Sequence, residues 1–399
     1  MNLEMVKIDR IYLSEMRAMK YCILPAALIM QLCLGATYSW SVYVQDMRSL
    51  LGLSQAAAQV PFSVFYFVFP TTMIFSGLVM NRIGSRWSAM IGGAVFGCGW
   101  MVGSLGNADF TYTVVGNGLI AGVGSGLAYI VPISTCIKWF PYQKGLVTGL
   151  AVAGFGGGAA LVSKIAGTLL AAETTPFEVF RILGVGFFLS TLCSGFFMVR
   201  PKEIKSAAQE KIKPKRIVAS EAFLLLYFAM FTGLAAGFAV NANLKDLSAV
   251  VDAATGVKAV ALFAVANAAG RIAWGFLFDQ MTARSVIQAN LVSQALLLLS
   301  CSFFFNSPAG LLGFAILAGF TYGGVLVVYA GAVANIWGAD KMAAVYGLLF
   351  SANIPGAVAP LVAAHSYDKT GSFLPALTGI AALLFVSTGL LQWKRNRIG

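Results

Sequence analysis

Acid is scarce in this chain. Only 15 of its 399 residues are Asp or Glu, and they fall in loops or at the ends of apolar runs. Charge of either sign is thin too, at 11%, where a soluble chain carries roughly 25%. An ordinary soluble globule is therefore excluded. The single histidine, His365, argues against His-based metal sites and catalytic dyads. The six cysteines (Cys22, Cys33, Cys98, Cys136, Cys193 and Cys301) lie in apolar runs without metal-type pairing and read as small hydrophobes. An enzyme acting within a membrane would need an intramembrane acid, histidine or metal cluster, and the pattern offers none. A cation or drug exporter would commonly need an intramembrane carboxylate, which is also missing.

What the chain has in quantity is apolar sequence, 59% of residues, with mean hydropathy +0.81. The runs fall near 21–44, 56–80, 87–106, 111–137, 146–171, 179–199, 221–243, 258–278, 286–305, 309–336, 343–364 and 373–393. Each is long enough for a bilayer, which takes roughly 17–25 residues. The expectation is an all-α membrane protein of twelve transmembrane helices. The residues before the first run are mixed and charged, and no small-residue cleavage site follows. That run reads as a retained helix rather than a signal peptide.

A net charge of +12 invites a nucleic-acid reading, but its distribution argues against one. Arg82, Arg86, Lys138, Lys144, Arg284, Lys341 and the basic stretch after residue 199 share one side with both termini. Only Arg48, Lys245, Lys258 and Lys369 fall on the other. This is the positive-inside bias, and it places both termini in the cytoplasm of a cell (inner) membrane. The partners expected are the lipid bilayer and a small molecule, not nucleic acid.

The polar stretch RPKEIKSAAQEKIKPKRIVAS (200–220) divides the chain into 1–199 and 221–399. The two parts repeat each other. GLVMNRIGSR begins at Gly77 and GFLFDQMTAR at Gly275, so that Gly77, Asn81 and Arg86 match Gly275, Asp279 and Arg284. AGVGSGLAYIV from Ala121 likewise matches AGFTYGGVLVV from Ala318. Gly122/Gly126 and Gly319/Gly323 are Gly-xxx-Gly pairs, which let helices approach closely. Two parallel, pseudo-repeated six-helix bundles joined by a linker are the layout of transporters that work around a midplane site. The glycine run AGFGGGAA (153–160) lacks the Lys-Ser/Thr of a phosphate loop and lies within a span, so it reads as helix packing.

Arg271 is the outstanding residue. It sits in VKAVALFAVANAAGRIAWGF, where no acid occurs, and residue 267, one turn earlier, is Asn. A guanidinium cannot shed its proton, so it remains charged in a span. Either an acid such as Asp46 or Asp246 answers it through space, or the missing anion is a substrate held by the planar guanidinium fork. Tyr38, Gln59, Tyr129 and Tyr322 lie at comparable depth and can each donate a hydrogen bond. Lys164 lies about 10 Å from the outer end of its span, so it either snorkels to the surface or reaches the cavity as a second cation.

GLVMNRIGSR resembles the loop signature of the major facilitator superfamily, with Asn81 in place of the usual aspartate. GATYSWSVY (35–43), AAAQVPF (56–62), KWFPYQKGLVTGLAVAGFG (138–156), NAAGRIAWGFLFD (267–279) and FTYGGV (320–325) resemble the oxalate/formate antiporter family, a relative of the monocarboxylate transporters. The resemblance implies that Arg271 binds a substrate carboxylate and that Tyr38, Gln59, Tyr129 and Tyr322 line the pocket. Tyr329 is off that pattern, Leu326 holding the pocket position. Where the oxalate transporter has a second cation, this chain has Asn353, which favours a monoanion. The Asp–Arg pair of proton-coupled monocarboxylate transporters is replaced by Asn267 and Arg271.

The reading is a secondary transporter, not an enzyme, that moves a monocarboxylate such as lactate, pyruvate or formate by alternating access. A proton carried on the Asn267–Arg271 pair is disfavoured, which leaves exchange against a counter-anion, uniport, or proton entry by another group; no cofactor is needed, and the monomer is the functional form. An oxalate or other dicarboxylate exchanger is the alternative, and a drug or cation exporter of the same superfamily a more distant one.

Overall fold

A chain in lipid must satisfy its backbone polar groups internally, and a helix does so within one segment. The computed structural model describes residues 21–53, 55–201, 214–244, 247 and 253–394, and these are helical without strands. The side chains of a few helical residues, Gln59 among them, lie outside the description.

Among the described residues, ten helices are long and apolar enough to cross a membrane. We label them with two shorter apolar helices in chain order. They are α1 (Tyr21–Ser39), α2 (Gln55–Ile83), α3 (Ser85–Asn107), α4 (Thr111–Trp139), α5 (Lys144–Ala171) and α6 (Pro176–Phe196). Then come α7 (Glu221–Asn243), α8 (Ala253–Gln280), α9 (Ala283–Leu299), α10 (Pro308–Trp337), α11 (Met342–Gly356) and α12 (Leu374–Trp393). Several starts are written in local chemistry. Thr175 and Glu178 form a reciprocal capping box on α6, and the Ser220 and Ser307 hydroxyls accept the first free N–H groups of α7 and α10.

Several runs that periodicity draws as unbroken are interrupted. α1 closes in a 3-10 turn, Gly35–Ser39, before a separate helix at Ser41–Leu51. Ser39 donates its hydroxyl to the Ala36 carbonyl at 2.7 Å, and this local bond competes with the helical ladder. α9 stops at Leu299, and Cys301–Phe304 is a short helix beyond it. α11 breaks after Phe350, resumes over Asn353–Gly356 and is followed by Ala359–Thr370. Pro355 and Pro360 lack the N–H that would bond four residues back, so Ile354 N–H takes the Ser351 carbonyl instead.

By contacts the chain forms two compact units, Met1–Pro141 with Gly157–Lys211 and Tyr142–Gly156 with Ile212–Gly399. α5 gives its first half to the second unit and its second half to the first. Within the first unit, α3 packs on α6 and α4, and α2 packs on α4. Glycines allow the approach. A Cβ on Gly97 would meet the Phe188 backbone at 2.6 Å, and one on Gly122 would lie 3.0 Å from the Val68 Cβ. Trp40, Tyr43, Trp100 and Phe180 form an aromatic cluster with ring centroids 4.8–6.2 Å apart.

Within the second unit the main seam joins α8 to α10. Gly319 and Gly323 rest on the Phe263 and Asn267 carbonyls so closely that a Cβ would collide with each. The Gly-xxx-Gly pairs thus serve close packing in both repeats. A second seam joins the first half of α5 to α8, where Gly145 and Gly275 approach reciprocally and Gly149 rests on the Arg271 carbonyl. Asp279 anchors its lower end, accepting the N–H of Gly145 at 2.8 Å and of Leu146 at 2.9 Å. A carboxylate at a helix N-terminus meets both free donors and the positive end of the dipole. In the first unit its counterpart, Asn81, instead accepts Arg200 Nη2 at 3.3 Å.

The α8–α10 seam makes a stability prediction. Gly323→Ala forces a Cβ into the Asn267 backbone, and overpacking of this kind costs about 1–3 kcal/mol. The melting temperature of the purified protein should fall by several degrees. Gly379→Ala, on α12 with open space around it, should leave it unchanged or raise it, since Ala is the better helix former by up to about 1 kcal/mol. Equal behaviour of the two variants would refute the seam as described.

Candidate functional site

Arg271 occupies the middle of α8 and is 3% exposed. Its Nε donates to Asn267 Oδ1 at 2.9 Å, and its Nη1 donates to the Val152 carbonyl on α5 at 2.6 Å. Among the described residues no carboxylate lies within ion-pair distance of it. Of the two acids named as candidate partners, Asp246 lies outside the described residues and Asp46 belongs to the first unit. The buried cation is therefore held by two neutral acceptors. They fix its position and leave its charge unneutralised.

The bond from Nε settles the orientation of the Asn267 amide. Nε can only donate, so the amide oxygen faces it and Nδ2 faces away as a donor. That Nδ2 is buried without a hydrogen-bond partner, a state that costs about 1–3 kcal/mol. Arg271 Nη2 also makes no hydrogen bond among the described residues, yet it is not sealed from solvent. What stands unused here consists of donors, which suits an acceptor-rich anion.

Neighbouring α10 is shaped to the same place. Gly323 has no side chain where α10 crosses Asn267 and Arg271. Tyr322 beside it is 8% exposed and stacks on Phe263, with centroids 6.0 Å apart. The preceding carbonyls, Phe320 and Thr321, accept from Trp274 Nε1 at 3.2 Å and Asn290 Nδ2 at 2.7 Å, which fixes this turn against α8 and α9. Tyr329, two turns on, is completely buried with its hydroxyl unpartnered, and the Leu326 carbonyl accepts the Tyr346 hydroxyl at 2.8 Å. Asn353 sits at the break in α11, half-buried, and its Nδ2 donates to the Phe350 carbonyl at 2.7 Å.

In the first unit, Tyr38 lies in the 3-10 turn rather than in a straight helix, 39% exposed, with its ring 5.5 Å from Tyr66. Tyr129 is 1% exposed; its ring meets Phe69 at 5.3 Å and its carbonyl accepts Gln31 Nε2 at 3.1 Å. Gln59 is on α2 with its side chain outside the described residues. Lys164 is exposed. The structure thus brings Asn267 and Arg271 into direct contact, with Tyr322 on the adjoining face of α10. Sequence reasoning missed the Val152 carbonyl and Gly156, which lies beside the guanidinium. Their trace was the glycine run of α5, since a main-chain acceptor has no signature of its own.

The Major Facilitator Superfamily model matches residues 26–360. The Oxalate:formate antiporter of Oxalobacter formigenes is 24% identical over 90% of this chain and 88% of its own length. The Apicoplast pyruvate carrier 1 of Toxoplasma gondii is 24% identical over 82% of this chain and 79% of its own. Among solved structures, the Major Facilitator Superfamily transporter FucP in the outward conformation superposes with a TM-score of 0.73 at 13% identity, covering 93% of this chain and 98% of that one. At that identity the superposition speaks for the fold alone. Helices, repeated halves and the family match agree: the chain is a multi-pass membrane transporter that belongs to the Major Facilitator Superfamily.

Proposed function

We propose that this transporter carries a small monocarboxylate, such as lactate, pyruvate or formate, by alternating access, with Arg271 as the ligand of the carboxylate. One observation carries the reading: a buried guanidinium answered only by neutral acceptors among the described residues. A carboxylate completes that charge with planar, bidentate hydrogen bonds. Asn267 orients the guanidinium, Tyr322 supplies an aromatic surface, and Tyr38, Gln59 and Tyr129 are further proposed substrate contacts. The names of two relatives, an oxalate:formate antiporter and a pyruvate carrier, support a small organic anion. We place the protein in the cell (inner) membrane as a monomer with both termini cytoplasmic, following the basic residues between its spans.

The first of these relatives also keeps a dianion such as oxalate as the second reading. The neutral Asn353 favours a single charge. Uptake of labelled lactate, oxalate, formate and acetate into proteoliposomes, with and without a pH gradient, separates the substrates and shows whether a proton or a counter-anion is coupled.

Arg271→Lys should insert and fold yet lose at least roughly tenfold in uptake, because a point charge does not reproduce the fork. Wild-type uptake in that variant would remove Arg271 from the site. Asn353→Lys should move preference from lactate toward oxalate. A second charge pair in a poorly solvated site is worth roughly 4 kcal/mol at 4 Å and an effective dielectric of 20. Desolvation offsets most of it, so a shift of about tenfold, or 1.4 kcal/mol, is expected. Competition of labelled substrate by both anions measures the ratio, and an unchanged ratio would detach position 353 from charge selectivity.

A further inference from the structure

Arg271 is not an empty receptor. Of its five N–H donors, that of Nε serves Asn267 Oδ1 and one on Nη1 serves the Val152 carbonyl. The second bond, at 2.6 Å, is short and charge-assisted, and its acceptor is a main-chain oxygen of another helix. Gly156, one turn beyond Val152, leaves the guanidinium room beside it. A Cβ at Gly156 would stand 3.6 Å from Nη1 and 3.7 Å from Cζ, so Ala is tolerated there and a branched side chain would displace the guanidinium. Residues 145, 149, 152 and 156 recur on one helical face. From the Asp279 anchor, through Gly145 and Gly149, the Arg271–Val152 bond is the last link of the α5–α8 seam.

We propose that the Val152 carbonyl is a built-in substitute for substrate: it holds Arg271 while no anion is bound, and an arriving carboxylate competes with it for Nη1. Gly156 is the positioning residue that keeps this face of α5 open. Binding then exchanges a link between two helices for a link to the ligand, so occupancy of Arg271 loosens the upper end of the seam. The proposal rests on the reading of Arg271 as the carboxylate ligand.

The test weakens the carbonyl without adding atoms. An ester in place of the peptide bond between Val152 and Ala153 makes the Val152 oxygen a poorer acceptor. A control ester between Ala159 and Ala160 reports the cost of a lost N–H. Equilibrium binding of labelled lactate, pyruvate or formate, whichever the full-length wild type binds most tightly, is measured in nanodiscs beside Arg271→Ala. The first ester should tighten binding three- to tenfold, the control ester should not, and Arg271→Ala should abolish it. An unchanged affinity with the first ester, while Arg271→Ala abolishes binding, overturns the competition alone. Binding retained in Arg271→Ala overturns the underlying reading of the site. Gly156→Val provides a second measurement with a natural backbone. Its substrate-free melting temperature should fall, and the rise on adding the same anion should exceed that of wild type; a smaller rise overturns the proposal.

Discussion

A guanidinium keeps its proton at any physiological pH, so a buried arginine cannot be neutralised by titration as a lysine or carboxylate can. It has to be answered by acceptors. In this transporter the acceptors at Arg271 are an amide oxygen and a main-chain carbonyl, both neutral. The surroundings follow from that constraint. Gly323 brings α10 against the turn that carries Arg271. Gly149 brings α5 close enough for its carbonyl to reach the charge, and Gly156 leaves the guanidinium room. The proposed anion site and the packing of three helices are thereby one structural problem.

The same constraint separates the two repeats. Asp279 puts a carboxylate on the first N–H groups of α5, whereas Asn81 at the matching position meets Arg200 as a neutral acceptor. The second unit therefore has a charged anchor at one end of the α5–α8 seam and a charge held by neutral groups at the other. Hydrogen bonds to charged groups are worth about 1.5–3 kcal/mol each. They fix α5 more firmly at Asp279 than glycine contacts could. At Arg271 the corresponding bond joins a group that has an alternative partner in any carboxylate.

Much of this was legible in the sequence because it rests on composition and spacing. The apolar runs located the spanning helices, the Gly-xxx-Gly pairs at 122/126 and 319/323 marked close packing in both repeats, and the lack of acid around residue 271 matches the absence of an ion pair at its guanidinium among the described residues. The interruptions were not legible in outline. Pro355 and Pro360 announce disorder in a helical ladder but do not say where the chain resumes, and the 3-10 turn at Gly35–Ser39 depends on a hydroxyl-to-carbonyl bond three residues apart. Val152 was invisible for a deeper reason. Its side chain is ordinary, and what matters is an oxygen that every residue has, exposed by a glycine one turn away. The run AGFGGGAA reads as packing; Gly158, which rests on the Leu32 carbonyl, fits that reading, while Gly156 faces the guanidinium.

The central claim is that the anion answering Arg271 is the substrate's own carboxylate. Solid-state NMR tests it without altering the site, using protein with 15N-labelled arginine and lactate 13C-labelled at its carboxyl carbon. Arg271→Lys protein, prepared the same way, supplies the background from the other arginines. The account predicts dipolar dephasing between the carboxyl carbon and guanidinium nitrogens at roughly 4 Å, as a bidentate pair requires, and none in the background sample. Saturable lactate binding with no such dephasing in the wild type would contradict it.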